Sequence, residues 1–366
     1  MIERTLTWAL RAAIAVKLAL FAAFLGTLVA VTPAMAREAI PQPQVCTGTN
    51  LVETIAARDP EAMRRIRARA AATPNGEGVL WRVERDGVAS HLFGTMHVTD
   101  PRVTTLSPTV RDLVANASTV ALELGELADP QAMQAAAMRA MPKMLYMDGT
   151  TLDEHLGEAD LAALRARTES PAMPWNVTQI MRPWVVMGAL SLPRCETAKQ
   201  QAGRPVLDQL LAERAEAAGV SVVGLETLGE QADFMLGLPE PLMVQSLVDV
   251  LRMGPAMDDM FETTLALYET GETALLWSMV RDPALPQMIG LSATADEAAR
   301  RAEGYAAFQA TLLDERNRNM AERMDPYLAK GGAFVAVGAL HLPGEQGLVA
   351  LLRERGWTVT RVDESR

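Results

Sequence analysis

Six apolar runs stand out along the chain, bounded by Gly, Asp or Pro, and between them the apolar residues recur at helical spacing. The first two, Val79 to Val83 and Val88 to Phe93, flank Asp86-Gly87, a dipeptide that tolerates the left-handed backbone of a two-residue hairpin turn. Buried strands are predicted at Ser118 to Leu124, Val220 to Leu225 and Ala333 to Val337, and Trp357 to Val362 forms a closing strand. Helices are predicted over Asp59 to Ala72, Pro108 to Ala117, Val206 to Ala218 and Glu345 to Arg355. Two long stretches, about 129–204 and 230–328, are rich in Ala, Met and Leu with scattered Pro, and are predicted to be helical insertions. This alternation predicts an α/β fold of the mixed α+β kind: a central mixed sheet flanked by helices, its strand order left open.

The N-terminus carries a different pattern. Arg4, Arg11 and Lys17 precede an uncharged run from Leu18 to Val31 that leads into Ala34-Met35-Ala36, so residues 1–36 are expected to be a cleavable secretory signal, with the mature chain starting near Arg37. That run is shorter than the ~20 residues a bilayer span needs, and a retained N-terminal membrane anchor is the alternative. A Pro/Gln-bearing lead-in with a surface helix then covers 37–75, and one large domain covers 76–366. Export to the periplasm or beyond places Cys46 and Cys195, the chain's two cysteines, where a disulfide between them is expected. The signal holds three cations and Glu3, so the formal charge of -11 falls to -13 without it. No basic stripe offsets that balance, which argues against nucleic acid as a partner.

Four histidines occur in 366 residues, and two of them occupy equivalent places. Gly94-Thr95-Met96-His97 and Gly338-Ala339-Leu340-His341 each follow a strand run, and a residue without Cβ lets the chain turn sharply there. Glu123 and Glu226 close two other runs, so two imidazole nitrogens and two carboxylates are expected to converge from four strand ends. Such a donor set suits Mn, Co, Zn or Fe. His91 lies within the hairpin and is expected on a sheet face, and His155, after Asp153-Glu154, is expected on the solvated surface. Met138, Met141, Met144 and Met147 are expected to form a pliable packing face rather than a thioether copper site. Arg316-Asn317-Arg318-Asn319, taken alone, reads as a charged solvent face with Glu315 and Glu322 nearby.

Together, Gly94-Thr95-Met96-His97, Glu123, Gly224-Leu225-Glu226-Thr227 with Glu230-Gln231, Arg316-Asn317 with Met320, and Gly338-Ala339-Leu340-His341 with Gly347 and Leu351-Leu352 form an ordered set. This set resembles the TraB/GumN family, which is related to the Tiki metalloproteases and more remotely to erythromycin-esterase-like proteins. The resemblance runs from about Val79 to Val362. It implies a metal-dependent hydrolase, a peptidase or amide hydrolase, with His97, His341 and Glu226 holding a divalent metal (Mn, Co or Zn). It further implies catalytic roles for Glu123, Glu226, Arg316 and Asn317, with Gly94, Gly338 and Asp208 shaping the site. Arg316 would then face the site and stabilise an oxyanion, and the substrate would be a peptide or small amide. The alternative on the same scaffold is a non-catalytic periplasmic protein that binds or sequesters a peptide or signal.

Overall fold

The computed structural model of the chain describes residues 45–168, 173–291 and 294–363, so the expected signal segment lies outside the described residues. At the centre is a six-stranded mixed sheet of β1 (Leu80–Arg85), β2 (Val88–Thr95), β3 (Thr119–Leu124), β4 (Val222–Glu226), β5 (Ala333–Gly338) and β6 (Thr358–Arg361). Their order is β4-β3-β5-β2-β1-β6. The first four of that order run parallel, and β1 pairs antiparallel with both β2 and β6. Asp86 and Gly87 turn the β1–β2 hairpin with φ of 53° and 83°, the left-handed backbone their side chains permit.

Strands β3 and β5 sit inside the sheet with helices on both faces, which is why they read as continuous apolar runs rather than alternating ones. On one face Phe93, Val120, Leu122 and Phe334 pack against Val110, Leu207, Leu211, Phe261 and Leu265, from the Pro108–Ala115, Leu207–Ala217 and Ala256–Thr270 helices. On the other, Ala121, Val335 and Val337 meet Met320, Met324, Leu328, Leu348 and Leu352, from the Arg316–Lys330 and Leu348–Glu354 helices.

Both stretches expected to be insertions are helical, and Met141, Leu145, Leu152, Leu164 and Val186 of the first share one apolar cluster with Leu247, Val248 and Leu251 of the second. Its methionines divide: Met141 is buried, whereas Met138 and Met147 are exposed. Three features depart from expectation. The lead-in contains a helix, Leu51–Arg58, capped by the Asn50 side chain and buried through Leu51, Val52 and Ile55. A π-helical segment, Gln309–Glu315, runs directly into the Arg316–Lys330 helix. His155 is not a solvated surface residue: the buried Leu152 and Leu156 draw its turn inward, and its ring stacks on Tyr146 at 5.7 Å. Among the described residues no single helix is long and apolar enough to cross a membrane.

Candidate active site at the carboxyl edge of the parallel strands

The four parallel strands end on one edge, the position where open α/β sheets gather functional side chains. Strands β2 and β5 are neighbours, with Gly94 opposite Val337 and Thr95 opposite Gly338, so the two Gly-x-x-His segments leave the sheet side by side. Gly94 permits this approach, since a Cβ there would stand 2.8 Å from Leu342 Cδ1 and 3.0 Å from the backbone of Ala339. His97, Glu123, Arg316 and His341 line one cavity of about 390 Å³, whose other walls include Met235, Leu267, Leu276, Phe308 and Leu312.

Each imidazole is fixed through Nδ1. His341 Nδ1 lies 2.6 Å from Asn317 Oδ1, while Asn317 Nδ2 donates to the Gln346 carbonyl at 2.8 Å. With the amide nitrogen committed to that carbonyl, its oxygen can only accept. His341 therefore carries its proton on Nδ1 and keeps a lone pair on Nε2. Burial, aided by Arg316 and His97, pushes the His341 pKa down to about 4 against the pull of Glu123, so the ring is neutral at physiological pH. His97 Nδ1 meets Asp208 Oδ2 at 2.6 Å, and the same carboxylate accepts from Thr95 Oγ1 at 2.8 Å. Asp208 is buried in the first turn of the Leu207–Ala217 helix, where the helix dipole favours a negative charge. The His97 side chain is 56% exposed because it borders the open cavity, yet protein encloses it on its other sides. That enclosure lowers its pKa, but the charge and hydrogen bond of Asp208, with Glu123 beyond, outweigh it and lift the ring to about 9.

The carboxylates share one arginine. Glu123 Oε2 accepts from the Gly338 backbone N–H at 3.0 Å and lies 3.8 Å from His341 Nε2. Glu123 Oε1 accepts from Gln231 Nε2 at 2.8 Å and from Arg316 Nη2. Burial alone would raise the pKa of Glu123, but His341, Arg316 and His97 around it outweigh that and hold it at about 2, so it is ionised. Glu226 accepts from Arg316 Nε at 3.1 and 3.0 Å and from Nη2 at 2.7 Å. Gln231 Nε2 reaches it at 3.2 Å, and Arg316 Nη1 donates to the Leu312 carbonyl at 3.3 Å.

Two expected roles shift with this geometry. Glu226 is bound to Arg316, and Glu123 is the carboxylate beside an imidazole nitrogen. Arg316 brackets both acids with Nε and Nη2, so these donors serve the carboxylates and not an oxyanion.

Whether a divalent ion suits these residues can be tested on the donors. Ligand bonds of about 2.0 to 2.2 Å allow two donors on one ion to lie up to ~4.2 Å apart, and the 3.8 Å between Glu123 Oε2 and His341 Nε2 falls inside that reach. Among the described residues, however, no three His, Cys, Asp or Glu side chains gather closely enough to hold an ion. The geometry thus brings two donors, Glu123 Oε2 and His341 Nε2, within reach of one ion.

Sequence reasoning assigned no role to Gln231, which bridges the two glutamates, or to Thr95, which braces Asp208. A signal for the first was present: Thr227-Leu228-Gly229-Glu230 is a capping box, and it opens the helix that presents Gln231 immediately after Glu226. Cys46 and Cys195 form a disulfide that ties the segment before the first helix to the Arg194–Gln201 helix.

A mixed sheet with histidine loops paired at its parallel edge defines the class. The chain belongs to the TraB/PrgY/gumN family, whose pattern matches residues 79–361. It is 26% identical over 322 residues to a protein of Amphimedon queenslandica named "Metalloprotease TIKI homolog", an alignment covering 77% of this chain and 61% of that protein. It is also 26% identical over 317 residues to "Metalloprotease TIKI2" of Danio rerio, covering 76% of this chain and 60% of the relative. The match thus spans about three fifths of each relative's length. No solved structure matches the chain.

Proposed function

We propose that this protein is an exported metal-dependent hydrolase that cleaves an amide bond in a peptide or small amide. The observation that carries the reading is the pairing of two imidazoles on one cavity, each with Nδ1 engaged and Nε2 left over, beside an ionised glutamate. Glu123 and His341 would contribute two ligands to a divalent ion such as Mn, Co or Zn, which supplies Lewis acidity when bound, and His97 faces the same cavity. Asp208 and Asn317 orient the two rings, as outer partners of metal ligands do. Arg316 and Gln231 keep the Glu123 carboxylate aimed at His341. The largely apolar cavity wall suits a substrate with an apolar side chain next to the cleaved bond. Names given to the two relatives support metal-dependent proteolysis, and the disulfide supports an oxidising compartment.

Metal analysis of the purified protein, followed by a peptide-library cleavage screen with and without chelator, tests the reading. Chelator-sensitive cleavage that His97→Ala and His341→Ala each abolish is the expected result. Wild-type protein that holds no divalent ion and cleaves nothing overturns it. The second reading, a peptide-binding protein without turnover, is favoured by the engagement of Arg316 Nε and Nη2 with the two glutamates rather than with a substrate. It predicts peptide binding that chelator leaves unchanged.

A further inference from the structure

Glu196 is a buried carboxylate that the site chemistry does not use. It is fully buried in the Arg194–Gln201 helix, and both oxygens are occupied by one residue of the histidine loop. Thr99 donates its backbone N–H to Oε1 at 2.6 Å and its hydroxyl to Oε2 at 3.0 Å. Thr99 stands two positions after His97, and Gln200, one turn beyond Glu196, donates to the His97 carbonyl at 3.4 Å and to Glu196 Oε1 at 3.1 Å. Lys199 Nζ, 4.0 Å from Glu196 Oε2, supplies the nearby positive charge a buried carboxylate requires. The residue before Glu196 is Cys195, whose disulfide to Cys46 anchors the helix, and Lys199 Nζ also lies 3.7 Å from Cys46 Sγ.

We propose that Glu196 is a positioning residue for His97, and that the Cys46–Cys195 bond holds the helix from which it acts. Asp208 fixes the His97 ring, while Glu196 fixes the backbone that carries it. The metal arm of the test rests on the hydrolase reading, and the spectroscopic arm does not.

The full chain, with 15N-labelled histidines and free of metal, is compared as wild type, Glu196→Ala, Glu196→Gln and Cys46→Ala/Cys195→Ala. His97 is assigned by the signal missing from His97→Asn. In Glu196→Ala and in the cysteine variant the His97 ring signals shift and broaden, while those of His91 and His155 stay in place. Glu196→Gln, whose amide can still serve both Thr99 groups, retains the wild-type His97 signals. Affinity for Co(II) falls about tenfold in the first two variants, the low end for loss of an outer partner, and stays within about twofold in the third. Combining Glu196→Ala with the cysteine pair adds no further loss, because both act through one contact. If Glu196→Ala fails to fold, Thr99→Val against Thr99→Ser tests the same contact. Unmoved His97 signals in Glu196→Ala, equal movement of all four rings, or additive losses overturn the proposal. A wild type that binds no Co(II) but shows the expected ring response sinks the hydrolase reading and leaves the positioning role standing.

Discussion

Arg316 shows how one side chain sets the chemistry of its neighbours. It is shared between two buried carboxylates, and removing it leaves both without their guanidinium. Breaking a buried pair by deleting one partner costs about 3–5 kcal/mol. Arg316→Met should therefore lower stability by that amount in urea titration, and adding Glu226→Gln should recover part of the loss. The two glutamates should also differ. Glu123→Gln, beside His341, is expected to reduce metal affinity at least tenfold, whereas Glu226→Gln, engaged by Arg316, should act on stability more than on affinity, as calorimetric titration with Zn or Co would show. Equal affinity losses would return the ligand role to Glu226. Asp208 was named from family likeness, but its bond to His97 and its brace from Thr95 required coordinates, because a helix and a strand far apart in the chain supply them.

At the scale of elements, β3 and β5 were readable because their buried runs are continuous and bounded by turn residues, and the Asp86-Gly87 hairpin follows from turn chemistry. What pattern alone could not provide was neighbourhood. That β5 lies between β3 and β2 depends on packing across the whole chain, and it decides that the two histidine loops adjoin. The π-helical segment was equally hidden, since its residues have ordinary helical composition. It lies just ahead of Arg316 and Asn317, in keeping with the frequent use of π segments at functional sites. The closeness of the two strand exits yields a further prediction. Gly94→Ala places a methyl against Leu342 and the Ala339 backbone, and overpacking of this kind costs about 1–3 kcal/mol. Its midpoint in urea should fall accordingly, and its metal affinity should drop. A variant with wild-type values would show that the exits can move apart freely.

For the whole molecule, the titrating groups of the site make stability depend on pH in both directions. His341 is held near 4 in the fold, against 6.5 for an unconstrained histidine, so the unfolded chain takes up a proton that the fold refuses. Its contribution is complete above about 6.5 and is lost as pH falls toward 4. His97 has the opposite sign: raised to about 9, it contributes fully below 6.5 and that contribution is lost as pH rises through 9. Metal-free protein should thus show urea midpoints that decline on either side of about pH 6.5, and His97→Asn should flatten the alkaline limb. An unchanged alkaline limb in that variant would refute the assignment.

The hydrogen bond from Gly338 to Glu123 joins groups 215 positions apart, and it forms only when a late strand slots between two early ones. Whatever this edge does, it cannot begin while the ribosome still holds the C-terminal part of the chain. A nascent fragment ending before Ala333 would have His97, both acids and Arg316, yet no finished pocket. The order of synthesis thus works as a delay, keeping the site unformed until the strand from Ala333 has emerged.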